Sequence, residues 1–278
     1  MEQIVIDCHM HTKLCGHAGG ETTEYVENAA AKGLKLITFT CHIPMARDGF
    51  GQKGTRMKAS ELPAYLELVQ LAADRGKELG VEVLCGIEAE IFPRDDDMAQ
   101  MQEIIDRNDF DFVLGSLHHQ TKAFPELMEE EGVTSDDEMI RRYYEILTDA
   151  VTTGRYDSLA HPDLIQIYGT VSPFETTEYE ALIRRLLEAC QAYGVCLEMN
   201  TSGWTKGRYE VHPDPVIVKW AHETGNCFTI GSDSHAPNQV GRYFDRATKL
   251  LLDSGITELT YYRKRVAHTY KIELGGMT

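Results

Sequence analysis

Seven short apolar runs punctuate the chain: QIVIDCH, KLITFTCH, VEVLCGIE, FDFVLGSLHH, YDSLAHP, VCLEMNTS and CFTIGSDSH. Most are β-branched or leucine-rich and too short for helices, so they predict strands. Near-continuous apolarity, rather than alternation, predicts strands covered on both faces, as in a parallel sheet. Between the runs the pattern changes to amphipathic helices with recognisable ends. TTEYVENAAAKG closes on Gly33, SELPAYLELVQLAADRGKELG runs from Ser60 to Gly80, and DDEMIRRYYEILTDAVTTG ends at Gly154 behind a Ser135/Glu138 capping box. Thr177 with Glu180 predicts a second box for a helix ending at Gly194, and two further helices end at Gly225 and Gly255. Repeated strand–helix units argue for a parallel α/β sheet. RDDDMAQ and ELMEEEG read as solvated acidic faces, and the polar, Gly-rich residues 47–57 as a loop near a site. No linker divides the 278 residues, which read as one domain, residues 1–278.

Charge and cysteine content narrow the function classes. The formal net charge of −17 and the lack of any Lys/Arg run disfavour a long nucleic-acid partner. Seven scattered cysteines, an odd number without a CxxC pair, predict no disulfide framework and a reducing compartment. The first residues lack the basic and long apolar regions of a signal peptide, and no stretch approaches the ~18 apolar residues of a membrane span. The expected location is the cytoplasm, with no membrane partner.

The candidate chemistry sits where the strands end. His9 and His11 close the first run, His42 the second, Glu88 the third, His118 and His119 the fourth, His161 the fifth, and Asp233 and His235 the last. Only VCLEMNTS ends without such a residue, on Asn200. In a parallel barrel these ends meet on one face. Imidazole and carboxylate together suit Zn²⁺, Mn²⁺ or Fe²⁺. His9 and His11 are two apart and share a strand face, and Asp7, on the same face, is expected to orient a ligand. Cys8 points the other way, into packing. Spacing leaves three choices open: Glu88 or Glu90, His118 or His119, and whether His17 in CGHAGG is a ligand or part of a turn. His212, His222 and His268 lie in helical or loop patterns and read as structural.

DCHMHT, TCHIP, GIEAE, GSLHH, AHPD and IGSDSH, in this order, resemble the polymerase-and-histidinol-phosphatase (PHP) superfamily over about residues 4–244. LEMNTSG and TIGSDSH look closer to its histidinol-phosphate phosphatase branch. The resemblance implies a distorted TIM-like (β/α)7 barrel and a trinuclear centre of Zn, Fe or Mn. His9, His11, Glu88 and Asp233 would bind the first ion. Glu88 would bridge to a second ion held by His118 and His161, and His17, His42 and His235 would hold the third. The implied reaction is hydrolysis of a small phosphomonoester, first L-histidinol phosphate, by a metal-bound hydroxide. Asp233, His235 and Glu88 are the expected catalytic residues. His119, Asp163 and Glu90 are candidate general acids, and the loop cations Arg56, Lys206, Arg208 and Arg242 are candidate phosphate contacts. Two positions depart from the family pattern: Cys41 stands where an acid usually precedes the second-motif histidine, and Gln166 where a basic residue often follows HxDLI. A nucleotide phosphodiesterase and a non-catalytic metal-holding domain are the competing readings.

Overall fold

The computed structural model describes residues 5–45, 55–91, 95–121, 123–206 and 211–272. All seven apolar runs contribute strands to one parallel sheet. The strands are β1 (Ile6–Asp7), β2 (Leu36–Phe39), β3 (Glu82–Glu90), β4 (Phe112–Ser116), β5 (Ser158–Leu159), β6 (Cys196–Asn200) and β7 (Phe228–Gly231), neighbours in space in the order of the chain. The sheet closes on itself just beyond β1. Cys8 N donates to Ile230 O at 2.8 Å and His11 N to Ser234 O at 2.9 Å, so β7 lies against the chain that leaves β1. The result is a distorted TIM-like (β/α)7 barrel, as the seven runs and the family resemblance implied. Ile37, Phe39, Ile87, Leu114, Leu197 and Ile230 of these strands are all fully buried, which explains why the strands read as continuous apolar runs.

Helices fill the crossovers: α1 (Thr22–Ala31), α2 (Leu62–Leu79), α3 (Asp95–Asp106), α4 (Ala123–Glu130), α5 (Asp136–Val151), α6 (Glu180–Tyr193), α7 (Pro215–Thr224) and α8 (Phe244–Asp253). The capping box of α5 is formed as expected: Ser135 Oγ accepts from Glu138 N at 3.3 Å and Glu138 Oε2 accepts from Ser135 N at 3.1 Å. Three sequence expectations need correction, and one element was unforeseen. The Thr177/Glu180 box is not made; Thr176–Tyr179 forms a 3₁₀ turn and α6 starts after it without a side-chain cap. RDDDMAQ and ELMEEEG are not merely solvated faces. They run into α3 and α4, which bury Met98, Met101 and Ile105, and Phe124, Leu127 and Met128. Cys196 and Cys227 are joined as a disulfide at the start of β6 and β7, while the other five cysteines are free. Finally, an antiparallel hairpin, β8 (Glu258–Arg263) and β9 (Val266–Lys271), follows the barrel. It covers the end where the strands begin: Tyr262 stacks on Phe112 with centroids 5.3 Å apart, and Arg265 pairs with Asp157 at 3.0 Å.

No helix among the described residues is long and apolar enough to cross a membrane.

Tyr65 of α2 ties the sheet to its outer layer. Its hydroxyl reaches Phe39 O at 2.9 Å and Gly86 O at 2.7 Å, in a fully buried position between β2 and β3. Tyr65→Phe removes a buried donor from two carbonyls and is expected to cost about 1–3 kcal/mol. Urea denaturation with an unchanged m-value but a lowered midpoint checks this.

Candidate metal centre

The parallel register delivers every strand end to one rim, and the rim gathers all nine expected ligands. At its centre lies Glu88 of β3, 1 % exposed. Its Oε2 is 3.6 Å from His9 Nε2, 3.7 Å from His11 Nε2 and 2.6 Å from His42 Nδ1; its Oε1 is 3.5 Å from His118 Nε2 and 3.4 Å from His161 Nε2. Asp233 Oδ1 completes the first group, 3.2 Å from His11 Nε2 and 3.7 Å from His9 Nε2. His17, His42 and His235 gather beside it, with the Nε2 atoms of His17 and His235 2.9 Å apart.

The separations of 3.4–3.7 Å from Glu88 to His9, His11, His118 and His161 are longer than hydrogen bonds and suit a shared cation, whereas His42 lies within hydrogen-bond reach of Glu88 and His17 of His235. Two atoms each about 2.0–2.2 Å from one tetrahedral ion lie roughly 3.3–3.6 Å apart. Glu88 Oε2 and His161 Nδ1 are buried with no hydrogen-bond partner, so the cluster holds polar atoms that the chain itself does not satisfy. Electrostatics agree. Burial opposes charge on His9, yet Glu198, Glu88 and Asp233 around it push its pKa well above the ordinary imidazole value. Burial also opposes charge on Glu88 and Asp233, but the surrounding histidines, and Lys206 in the case of Asp233, hold both well below the usual carboxylate range. Burial lowers His42 and His161, and takes His235 down to about 3, so these rings stay in the neutral form that ligates metal. Two of the candidate ligands have left-handed backbone: His161 at φ 29° and Asp233 at φ 48°. Strain of this kind concentrates at functional sites.

Behind the ligands stands a second layer that sequence reasoning only partly found. Glu198 of β6 was missed. Its Oε1 accepts from His9 Nδ1 at 2.7 Å, and its Oε2 accepts from His161 N at 3.1 Å and Asn200 Nδ2 at 2.9 Å. The available signal was an acid inside a buried strand. Ser116 donates to Glu88 Oε1 at 2.5 Å and Ser202 to Asp233 Oδ2 at 2.9 Å, also unforeseen. Asp7 touches no candidate ligand's side chain but accepts from the backbone of one, His9 N, at 3.3 Å. It accepts from Ser232 N at 2.9 Å, Ser232 Oγ at 2.5 Å and Gly241 N at 2.9 Å, and so fixes the backbone that carries Asp233. Cys41 packs in the core, where Thr12 Oγ1 donates to its sulfur at 3.3 Å and the Cys15 thiol touches it.

The candidate general acids are committed elsewhere. Glu90 pairs with Arg56 and accepts from His118 Nδ1 at 2.9 Å. Asp163 accepts from His212 Nδ1 at 2.7 Å and Asp214 N at 2.8 Å; His212, read as structural, therefore lies buried next to the centre. His119 faces away from the ligands: Nε2 meets Leu164 O at 2.9 Å and Nδ1 meets Thr170 Oγ1 at 2.8 Å. Gln166 also turns aside, bonding Asp163 at 3.2 Å and Thr176 at 3.1 Å. Over the centre opens a cavity of about 460 Å³ lined by Arg56, Lys206 and Arg242. Lys206 Nζ is 2.5 Å from Asp233 Oδ2, and Arg242 is held by Ser232 O at 3.0 Å and Asp233 O at 3.1 Å. Arg208 and most of the 47–57 loop lie outside the described residues.

Barrel and rim together define a TIM-like barrel protein with a histidine–carboxylate centre of metal-binding type. Comparison gives the family: the PHP domain matches residues 7–202, and the chain belongs to that family. A Deinococcus radiodurans protein named "Probable histidinol-phosphatase" is 32% identical over 263 residues, covering 94% of this chain and 97% of its own length. A Schizosaccharomyces pombe protein of the same name is 25% identical, covering 93% and 90%. Among solved structures, histidinol phosphate phosphatase from Lactococcus lactis, complexed with zinc, L-histidinol and phosphate, superposes with a TM-score of 0.79 at 22% identity, covering 96% of this chain and 100% of that one.

Glu198→Gln keeps the shape of the side chain but weakens its hold on His9. Metal affinity is expected to fall about 10–100-fold, measured as the chelator concentration that strips half the bound zinc; an unchanged midpoint would show Glu198 to be inert packing.

Proposed function

We propose that this chain is a metal-dependent phosphatase of small phosphomonoesters, with L-histidinol phosphate the first candidate substrate. His9, His11, Glu88 and Asp233 hold one divalent ion, Glu88, His118 and His161 a second, and His17, His42 and His235 a third, each Zn, Fe or Mn. The observation that carries this reading is the placement of Lys206, Arg242 and Arg56 on one cavity with the ligand cluster. An ester dianion entering there meets cationic side chains on a surface of an otherwise acidic protein. The zinc, L-histidinol and phosphate bound to the Lactococcus lactis enzyme, and the names of the Deinococcus and Schizosaccharomyces relatives, support the same substrate class.

Divalent ions bound here would supply Lewis acidity and lower the pKa of water to about 7. The remaining work belongs to the chain. Glu88, Asp233 and His235 fix where the reacting phosphoryl group sits by fixing the ions around it. Glu198 and Glu90 orient His9 and His118 through their Nδ1 atoms, leaving Nε2 for ligation. Lys206 and Arg242, donors fixed in place before substrate arrives, neutralise charge on the non-bridging oxygens. Asp163, Glu90 and His119, the candidate proton donors, each also hold a neighbouring residue in place.

Protein loaded with Zn²⁺, Mn²⁺ or Fe²⁺ is expected to hydrolyse L-histidinol phosphate faster than other small monoesters, and monoesters faster than a diester such as bis-p-nitrophenyl phosphate. His9→Ala and Asp233→Ala should each lower turnover by more than ~100-fold, the upper bound for losing a mere outer-layer partner. Preference for the diester, inertness of the loaded protein, or full activity in either variant would overturn the proposal.

A further inference from the structure

A metal-binding imidazole needs its second nitrogen held, usually by a carboxylate, a carbonyl or a water. His9 and His118 meet this need through Nδ1, with Glu198 at 2.7 Å and Glu90 at 2.9 Å. His161 does not. Its Nε2 faces Glu88, in the group that His118 completes, while its Nδ1 is buried and has no hydrogen-bond partner. A second imidazole beside it has the opposite need. His212 is 4% exposed, and its Nε2 is likewise buried without a partner.

The two needs are complementary. Asp163 accepts from His212 Nδ1 at 2.7 Å, from Asp214 N at 2.8 Å and from Gln166 Nε2 at 3.2 Å. A carboxylate in this setting only accepts, so Nδ1 of His212 carries the hydrogen and Nε2 presents a lone pair. A His161 that ligates through Nε2 keeps its own hydrogen on Nδ1. One ring therefore holds an unused donor and the other an unused acceptor. Their centroids lie 6.4 Å apart, with the ring planes at 72°. A direct N–H···N bond of about 3 Å would bring the centroids within roughly 5.3 Å. The gap is too wide for that bond and fits a single water that makes two. A polar pocket with partners on both sides is where a buried water is retained. The backbone under His212 is fixed as well: His212 N donates to Asn200 O at 3.1 Å, and Asn200 N to His212 O at 2.7 Å, at the end of β6.

We propose that His212 is a positioning residue for the metal ligand His161. Asp163, His212 and one buried water form a chain that takes the Nδ1 hydrogen of His161 and fixes its ring for the ion shared with Glu88 and His118. The inference rests on the metal centre of the reading above and deepens it, but it does not depend on what the ions hydrolyse.

Two variants separate the two nitrogens of His212. His212→Asn keeps a donor for Asp163 near the Nδ1 position and loses the acceptor at Nε2; His212→Gln keeps an acceptor near Nε2 and loses the donor. Zinc retention is read by titrating the loaded proteins with a chelator. His212→Asn is expected to release one zinc at a chelator concentration about 10–100-fold below that of wild type, and His212→Gln to stay within about threefold. A residue that merely braced the Asp163 loop would give the reverse ranking. That ranking, or equal behaviour of the two variants, would overturn the proposal. A high-resolution crystal structure of the zinc-loaded wild type reads the chain without any variant: a water about 2.8 Å from both His161 Nδ1 and His212 Nε2 supports it, and a direct contact between the rings or no water between them overturns it. Should the loaded protein show the expected ranking yet hydrolyse no phosphomonoester, the phosphatase reading falls and the positioning role stands. Should it bind no zinc, the positioning role falls with the metal centre.

Discussion

A carboxylate buried to 1 % exposure among five imidazoles is the constraint on which this site depends. Isolated in a protein interior, the charge on Glu88 would be prohibitively costly, and burial indeed works against it. What makes it tolerable is the convergence of His9, His11, His42, His118 and His161 from strand ends far apart in sequence. That convergence is a product of register. Glu88 pairs with Leu114 of β4 and bridges to His42 beyond β2, so neighbouring strands present their last residues at one height. A slip of one residue would turn each ligand to the opposite face.

The outer layer converts this cluster into fixed geometry. Glu198 and Glu90 each hold a ligand imidazole by Nδ1, Ser116 and Ser202 hold the two central carboxylates, and Asp7 holds the turn behind Asp233. The left-handed backbone at His161 and Asp233 is sustained by the same bonds: His161 N donates to Glu198, and Ser202 anchors Asp233 from the side. On the opposite end, the β8–β9 hairpin seals the barrel with Tyr262 and Arg265, so the rim is the end left for chemistry.

The barrel and the histidine–carboxylate rim were legible because both leave periodic or positional marks. Continuous apolar runs gave the strands, glycine stops gave most helix ends, and histidines at run ends gave the rim. Glu198 escaped because one acid in VCLEMN looks like an interruption of a strand, and only the fold turns it toward His9. The acidic stretches hid α3 and α4, whose buried methionines and leucine are spaced too sparsely among carboxylates to stand out. Thr177 and Glu180 have the capping-box spacing, but a 3₁₀ turn takes up Thr177, and Glu180 itself starts α6. The hairpin and the Cys196–Cys227 bond depend on contacts between distant segments, which spacing does not carry. His119 beside His118 could be assigned to neither role from sequence; its bonds to Leu164 and Thr170 give it a structural one.

The central claim is that nine side chains from six strand ends and one loop form a cage for several divalent ions. Anomalous X-ray scattering at the zinc edge from crystals of the zinc-loaded protein tests it most directly. The account predicts three ions per chain at the rim, one among His9, His11, Glu88 and Asp233, one among Glu88, His118 and His161, and one among His17, His42 and His235. Zinc scattering elsewhere on the chain, or a rim with no ion under saturating zinc, would contradict it.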